Sequence, residues 1–163
     1  MTKSWAKVLF ELDPAYWPGP GGETLWAEPI ASSEWTNFRL MNSPFHVRGV
    51  SYQDVVRATP IEQSDVPRFE KVIERGGHST YMIIIDGRSP RVDAYWNLLR
   101  SMGCSYESAT IHWEGERRKL YSVDVPPSAD VHEVYDILER GENDKVWIFQ
   151  EGHAYLPRHG STP

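Results

Sequence analysis

Ser79-Thr80-Tyr81-Met82-Ile83-Ile84-Ile85-Asp86 is the only long apolar run in this chain, set between Gly76-Gly77 and Asp86-Gly87. It carries three successive isoleucines. Apolar side chains at consecutive positions, not alternating ones, mark a strand buried on both faces. Such a strand belongs in the interior of a sheet, and both faces of that sheet need a cover.

Downstream of the run, Ser89-Pro90 has the form of an N-cap with proline at the first helical position. Val92, Tyr95, Trp96, Leu99 and Met102 then fall at helical spacing, and Gly103 supplies the stop. Tyr106 to Trp113 and Lys119 to Val125 read as strands joined in a hairpin through Glu114-Gly115-Glu116. Asp130 with Glu133 three residues later makes a capping box. Val131, Val134, Tyr135 and Leu138 form the apolar stripe of a second helix, which Gly141 is expected to end. Lys145 to Glu151 is the last strand. This β-α-β-β-α-β order predicts a ferredoxin-like sandwich. Right-handed crossovers then set the 79–86 strand beside the 119–125 and 145–151 strands. Both helices cover one face, so the N-terminal half or a partner must cover the other.

Upstream, short strands alternate with turns. From Trp5 to Leu12, Val8, Phe10 and Leu12 share one side, with Lys7, Leu9 and Glu11 opposite. Asp13-Pro14 and Pro18-Gly19-Pro20-Gly21-Gly22 break that strand. Glu23 to Ile30, Asn37 to Met41, Asp54 to Thr59 and Phe69 to Arg75 continue the pattern. Several short strands with no helical period predict a small antiparallel, SH3-like barrel. The fold class is therefore α+β. We expect a barrel over residues 1–75, a ferredoxin-like unit over 76–153 and a flexible tail over 154–163.

Composition narrows the function. The 163 residues are 40% hydrophobic and 25% charged, with a net charge of −6, ordinary values for a soluble domain. An acidic balance argues against a general nucleic-acid binder. Arg117-Arg118-Lys119 follows Glu114 and Glu116, and reads as a solvated hairpin tip. No run reaches the ~20 apolar residues that span a bilayer, and the N-terminus lacks the apolar core of a signal peptide. Cys104 is the only cysteine, which fits a reducing cytoplasm.

Leu25-Trp26-Ala27, Asn42-Ser43-Pro44-Phe45, Ser51-Tyr52-Gln53-Asp54-Val55-Val56, Gly76-Gly77-His78-Ser79-Thr80, Gly103-Cys104 and Val123-Asp124-Val125-Pro126 together resemble a bacterial domain family of unknown function. The family occurs in actinobacteria and myxobacteria among others, and the resemblance covers about residues 23–151. It implies a bacterial, cytoplasmic protein. It carries no established activity, so no functional residue comes with it.

Among catalytic chemistries, few signals survive. No H-x-x-x-H or C-x-x-C pair occurs, so no metal site is expected, and no cofactor motif is present. Arg75-Gly76-Gly77-His78-Ser79-Thr80 leads into a strand, not a helix N-terminus, so a bulge or hinge fits it better than a phosphate loop. Cys104 follows a helix end, where a thiolate is disfavoured. No G-x-S-x-G elbow occurs. What remains is a cleft between the two halves, with His46, His78 and Asp54 as catalytic candidates. Asn42, His78 and His112 are candidates for holding a ligand. The plain alternative is that these residues cap turns. Three functions stay open. The first is a non-catalytic protein-binding protein, such as a toxin-neutralising immunity protein. The others are a small metal-independent enzyme or small-molecule binder using the cleft, and a regulatory module of a larger assembly.

Overall fold

The computed structural model describes residues 5–13, 21–30 and 36–156. Its elements are β1 (Ala6–Glu11), β2 (Gly22–Ile30), β3 (Asn37–Leu40), β4 (Val55–Thr59), β5 (Arg68–Glu74), β6 (Ser79–Ile85), α1 (Val92–Ser101), β7 (Ser105–Trp113), β8 (Glu116–Val125), α2 (Val131–Asn143) and β9 (Trp147–His153). The first five strands close into a barrel, antiparallel except where β5 meets β1 in parallel at Leu9 and Arg68. Val8 and Phe10 point inward, as their alternation predicts, and pack with Leu25, Leu40 and Val56. The expected break at Pro14 to Pro20 lies outside the described residues.

The remaining strands form an antiparallel sheet in the order β7-β8-β6-β9. All seven residues of β6 are buried, and the strand lies between β8 and β9, the neighbours expected for it. On one face Tyr81, Ile83 and Ile85 pack under Trp96 and Leu99 of α1 and Val134 and Leu138 of α2. On the other, Met82 and Ile84 join Leu120 and meet Phe45, which comes from the 41–54 connection between β3 and β4. The cover for the second face is thus a loop of the barrel.

That cover is also tied down by polar contacts. Thr80 Oγ1 donates to Ser51 Oγ (2.7 Å), Ser122 Oγ to the Pro44 carbonyl, and Gly49 N to the Gly152 carbonyl (2.9 Å). Asp54, with 0% exposure, accepts from Ser51 N, Gly76 N and Arg75 Nη1 at 2.9–3.0 Å. The expected domain boundary at 75/76 falls on this tether. Gly76 is required there, because a Cβ would stand 2.5 Å from the Gln53 carbonyl oxygen. The segment expected to be a tail begins docked: Tyr155 N donates to Ser79 Oγ at 2.8 Å.

Local signals hold in part. Asp130 caps α2 by accepting from His132 N and Glu133 N. Glu114 (φ 49°) and Gly115 (φ 77°) make a two-residue hairpin turn with both residues left-handed, the geometry that matches strand twist. α1 starts only at Val92, and Ser89 Oγ instead accepts from Arg91 N within the preceding turn. Gly141 does not end α2, which runs on to Asn143. Its role is packing: a Cβ there would lie 2.5 Å from the Trp147 indole, whose Nε1 donates to the Leu138 carbonyl (2.9 Å).

A glycine-to-alanine change inside a helix ordinarily stabilises by roughly 0.5–1 kcal/mol. Here the sign should invert. Gly141→Ala is expected to cost about 1–3 kcal/mol through overpacking, a fall of several degrees in thermal melting. An unchanged or raised melting temperature would contradict the packing described.

Candidate functional site

The 41–54 segment is shaped by two carboxylates. Glu23, at the start of β2, accepts from three successive backbone amides, Phe45, His46 and Val47, at 2.6–3.0 Å. Asp54 closes the other end through the contacts above. A carboxylate accepting several N–H groups holds a loop without needing regular secondary structure. Asn42 Oδ1 accepts from Trp26 N (2.9 Å) and so continues the edge of β2.

Where this segment meets the β7–β8 edge there is a cleft of about 390 Å³, lined in part by Asn42, Tyr52, Tyr106, Glu107, Ser122 and Asp124. His78 stands behind it. Its Nδ1 lies 2.9 and 3.1 Å from the two Asp124 carboxylate oxygens, and Tyr52 packs edge-on against its ring at 5.1 Å. Burial pushes the Asp124 carboxyl above its ordinary value, and His78 partly offsets this. An imidazole held through Nδ1 by a carboxylate has a fixed orientation, and in the neutral form with Nδ1–H its Nε2 is an acceptor.

The candidates expected from the sequence do not converge. Asn42 and Asp124 line the cleft, with His78 behind Asp124. Asp54 is spent on backbone amides and Arg75. His46 is held by its backbone, with Nδ1 buried and unpartnered. His112 lies opposite Arg117, whereas Ser105 lies opposite Asp124. Those seven residues of strand put it about 23 Å along β7 at ~3.3 Å per residue, and the odd number turns it to the other face. Sequence reasoning missed Glu23, Tyr52 and Asp124. Asp124 was within reach, since it alternates with Leu120 and Ser122 along β8.

Cys104 is no nucleophile in this setting. Burial, and secondarily the Asp124 charge, pushes its thiol up to about 12, which keeps it protonated at neutral pH. Among the described residues no three His, Cys, Asp or Glu side chains are grouped to hold a metal ion.

The chain belongs to the family described as "Domain of unknown function (DUF4265)", whose model matches residues 23–149. No curated protein matches it. Among solved structures it is similar to a hypothetical protein from Neisseria gonorrhoeae, at 16% identity and a TM-score of 0.72 over 96% of this chain and 100% of that one. At that identity the likeness concerns the fold alone.

Two further histidines, His46 and His153, lie partly buried in or near the 41–54 segment. Burial holds both His46 and His153 below the usual range. Glu23 opposes this for His46; for His153, Arg75 adds to it while Asp54 and Glu151 oppose it. The unfolded chain therefore binds these protons first, near pH ~6.5. Stability should fall as pH drops from 7 through that value towards the native pKa values. Asp124 acts in the opposite sense at lower pH, because its folded form takes up a proton before the unfolded chain does. Urea unfolding between pH 7.5 and 5 should show a shallower loss in His46→Gln/His153→Gln than in the wild type. Equal slopes would contradict the assignment.

Proposed function

We propose that this is a non-catalytic protein-binding protein that docks a basic segment of a partner on the groove between α2 and β9. The observation that carries this reading is the groove itself. Glu139, Glu142 and Glu151 line a depression of about 430 Å³ together with Tyr135 and Phe149. The two rings meet edge-to-face at 5.5 Å, and Tyr135 is 40% exposed. α2 bears Glu133, Asp136, Glu139 and Glu142 against a single cation, Arg140. Carboxylates steer a basic partner, and aromatic faces hold an arginine or lysine head. Neutralisation of a basic toxin, as by an immunity protein, is one role of this kind.

The same proposal covers the finer architecture and setting. The closed five-stranded barrel supports an SH3-like assignment. The β7-β8-β6-β9 order with its β-α-β-β-α-β connections supports a ferredoxin-like one. A lone, buried, free thiol supports a reducing cytoplasm.

One observation favours a second reading, a small molecule bound in the 41–54 cleft: the His78–Asp124 pair stands beside a cavity of about 390 Å³. The two readings separate by mutation. In affinity capture from source cells followed by kinetics on the captured partner, Glu139→Lys/Glu151→Lys should weaken binding tenfold or more, about 1.4 kcal/mol. Added salt should slow wild-type association, while His78→Ala should bind like the wild type. Loss of binding in His78→Ala with the charge reversals silent would reverse the order of the two readings.

A further inference from the structure

Arg117, Arg118 and Lys119 do not sit at a hairpin tip. The turn is Glu114-Gly115, and the three basic residues belong to β8. With the Asp86–Arg88 turn after β6 they form a cavity of about 520 Å³, whose charged lining is Arg88, Arg117, Arg118 and Lys119 against Asp86 and Glu116. In a chain of net charge −6, the lining of this cavity carries an excess of two positive charges.

The anionic members are already engaged. Asp86 Oδ1 accepts from Arg88 N (3.0 Å) and Arg88 Nε (3.4 Å). These bonds, with the nearby Arg88 and Arg118 charges, hold its carboxyl below the ordinary value despite some desolvation. Glu116 Oε2 accepts from Arg118 Nη2 at 3.1 Å. Of the cationic members, Arg118 pairs with Glu116 and lies on the face of Ile111, so the spare donors on the face of Ile85 and Thr110 are those of Arg117 and Lys119. Lys119 Nζ donates only to Thr110 Oγ1 (3.3 Å) among the bonds it makes with described residues. Arg117 makes no ion pair among the described residues. Ile85, 5% exposed, gives the cavity an apolar wall.

We propose that this cavity binds a phosphate-bearing small molecule. Guanidinium forks match tetrahedral oxyanions through paired N–H donors. Two uncompensated cations match a dianion, and the volume suits a small ligand rather than a nucleic-acid strand. The site is separate from the acidic groove between α2 and β9, so neither proposal depends on the other.

The test is calorimetric titration of the full chain with inorganic pyrophosphate at low ionic strength, using wild type, Arg117→Glu and Lys71→Glu. Lys71 is exposed on β5, so its reversal changes net charge equally but elsewhere. Wild type should bind with about one equivalent, Arg117→Glu should bind tenfold or more weakly, and Lys71→Glu should stay within twofold of wild type. Thermal melting of each variant checks that it is folded, and Lys119→Gln substitutes should Arg117→Glu fail that check. Absence of binding by wild type, or equal weakening by Arg117→Glu and Lys71→Glu, overturns the proposal.

Discussion

A strand buried on both faces cannot be half of a two-layer structure. β6 has seven consecutive buried residues. The helices satisfy only one face, so Met82 and Ile84 leave an apolar surface that water would otherwise meet. Exposing a fully buried isoleucine or methionine costs about 1.5–3 kcal/mol, so the cover is as much part of the fold as the helices are. Phe45 and the 41–54 segment supply it. The barrel thus serves as the frame that presents this segment.

Holding an irregular segment over a sheet requires partners for its backbone polar groups, because an unpaired buried amide costs about 1–3 kcal/mol. Glu23 and Asp54 meet that requirement by each collecting several N–H donors. Polar residues in turns beside strand ends look like a catalytic constellation, yet most of those here work on the backbone. Asp54 and Asn42 are architectural for this reason, and His78–Asp124 is the pair that stays beside a cleft. The outward-facing clusters of charge lie elsewhere, on the acidic groove of α2 and β9 and on the basic cavity beside the end of β6.

Features governed by neighbours in sequence were legible. The double burial of β6, the Asp130 cap and the hairpin through Glu114-Gly115-Glu116 follow from residue type and spacing, and the neighbours β8 and β9 from the handedness of crossovers. Features governed by distant contacts were not. Glu23 is 22–24 residues from the amides it accepts from, and nothing near it in the chain marks that role. Gly141 looks like a helix stop, and only the Trp147 indole explains why it sits within α2. His112 resembles His78 in standing beside a turn, yet strand length and parity send it to the far end and other face. Arg117-Arg118-Lys119 looked like a solvated tip because the loop that meets it comes from the end of β6.

The 41–54 segment joins barrel and sheet, with Val47 and Val50 in the barrel core and Phe45 against Met82 and Ile84. Native-state hydrogen exchange measures this directly. The amides of Val56 in the barrel and Ile84 in the sheet should exchange with one common opening free energy, and Phe45→Ala should lower both by the same amount. Independent opening of Val56, with Ile84 unaffected by Phe45→Ala, would contradict the account.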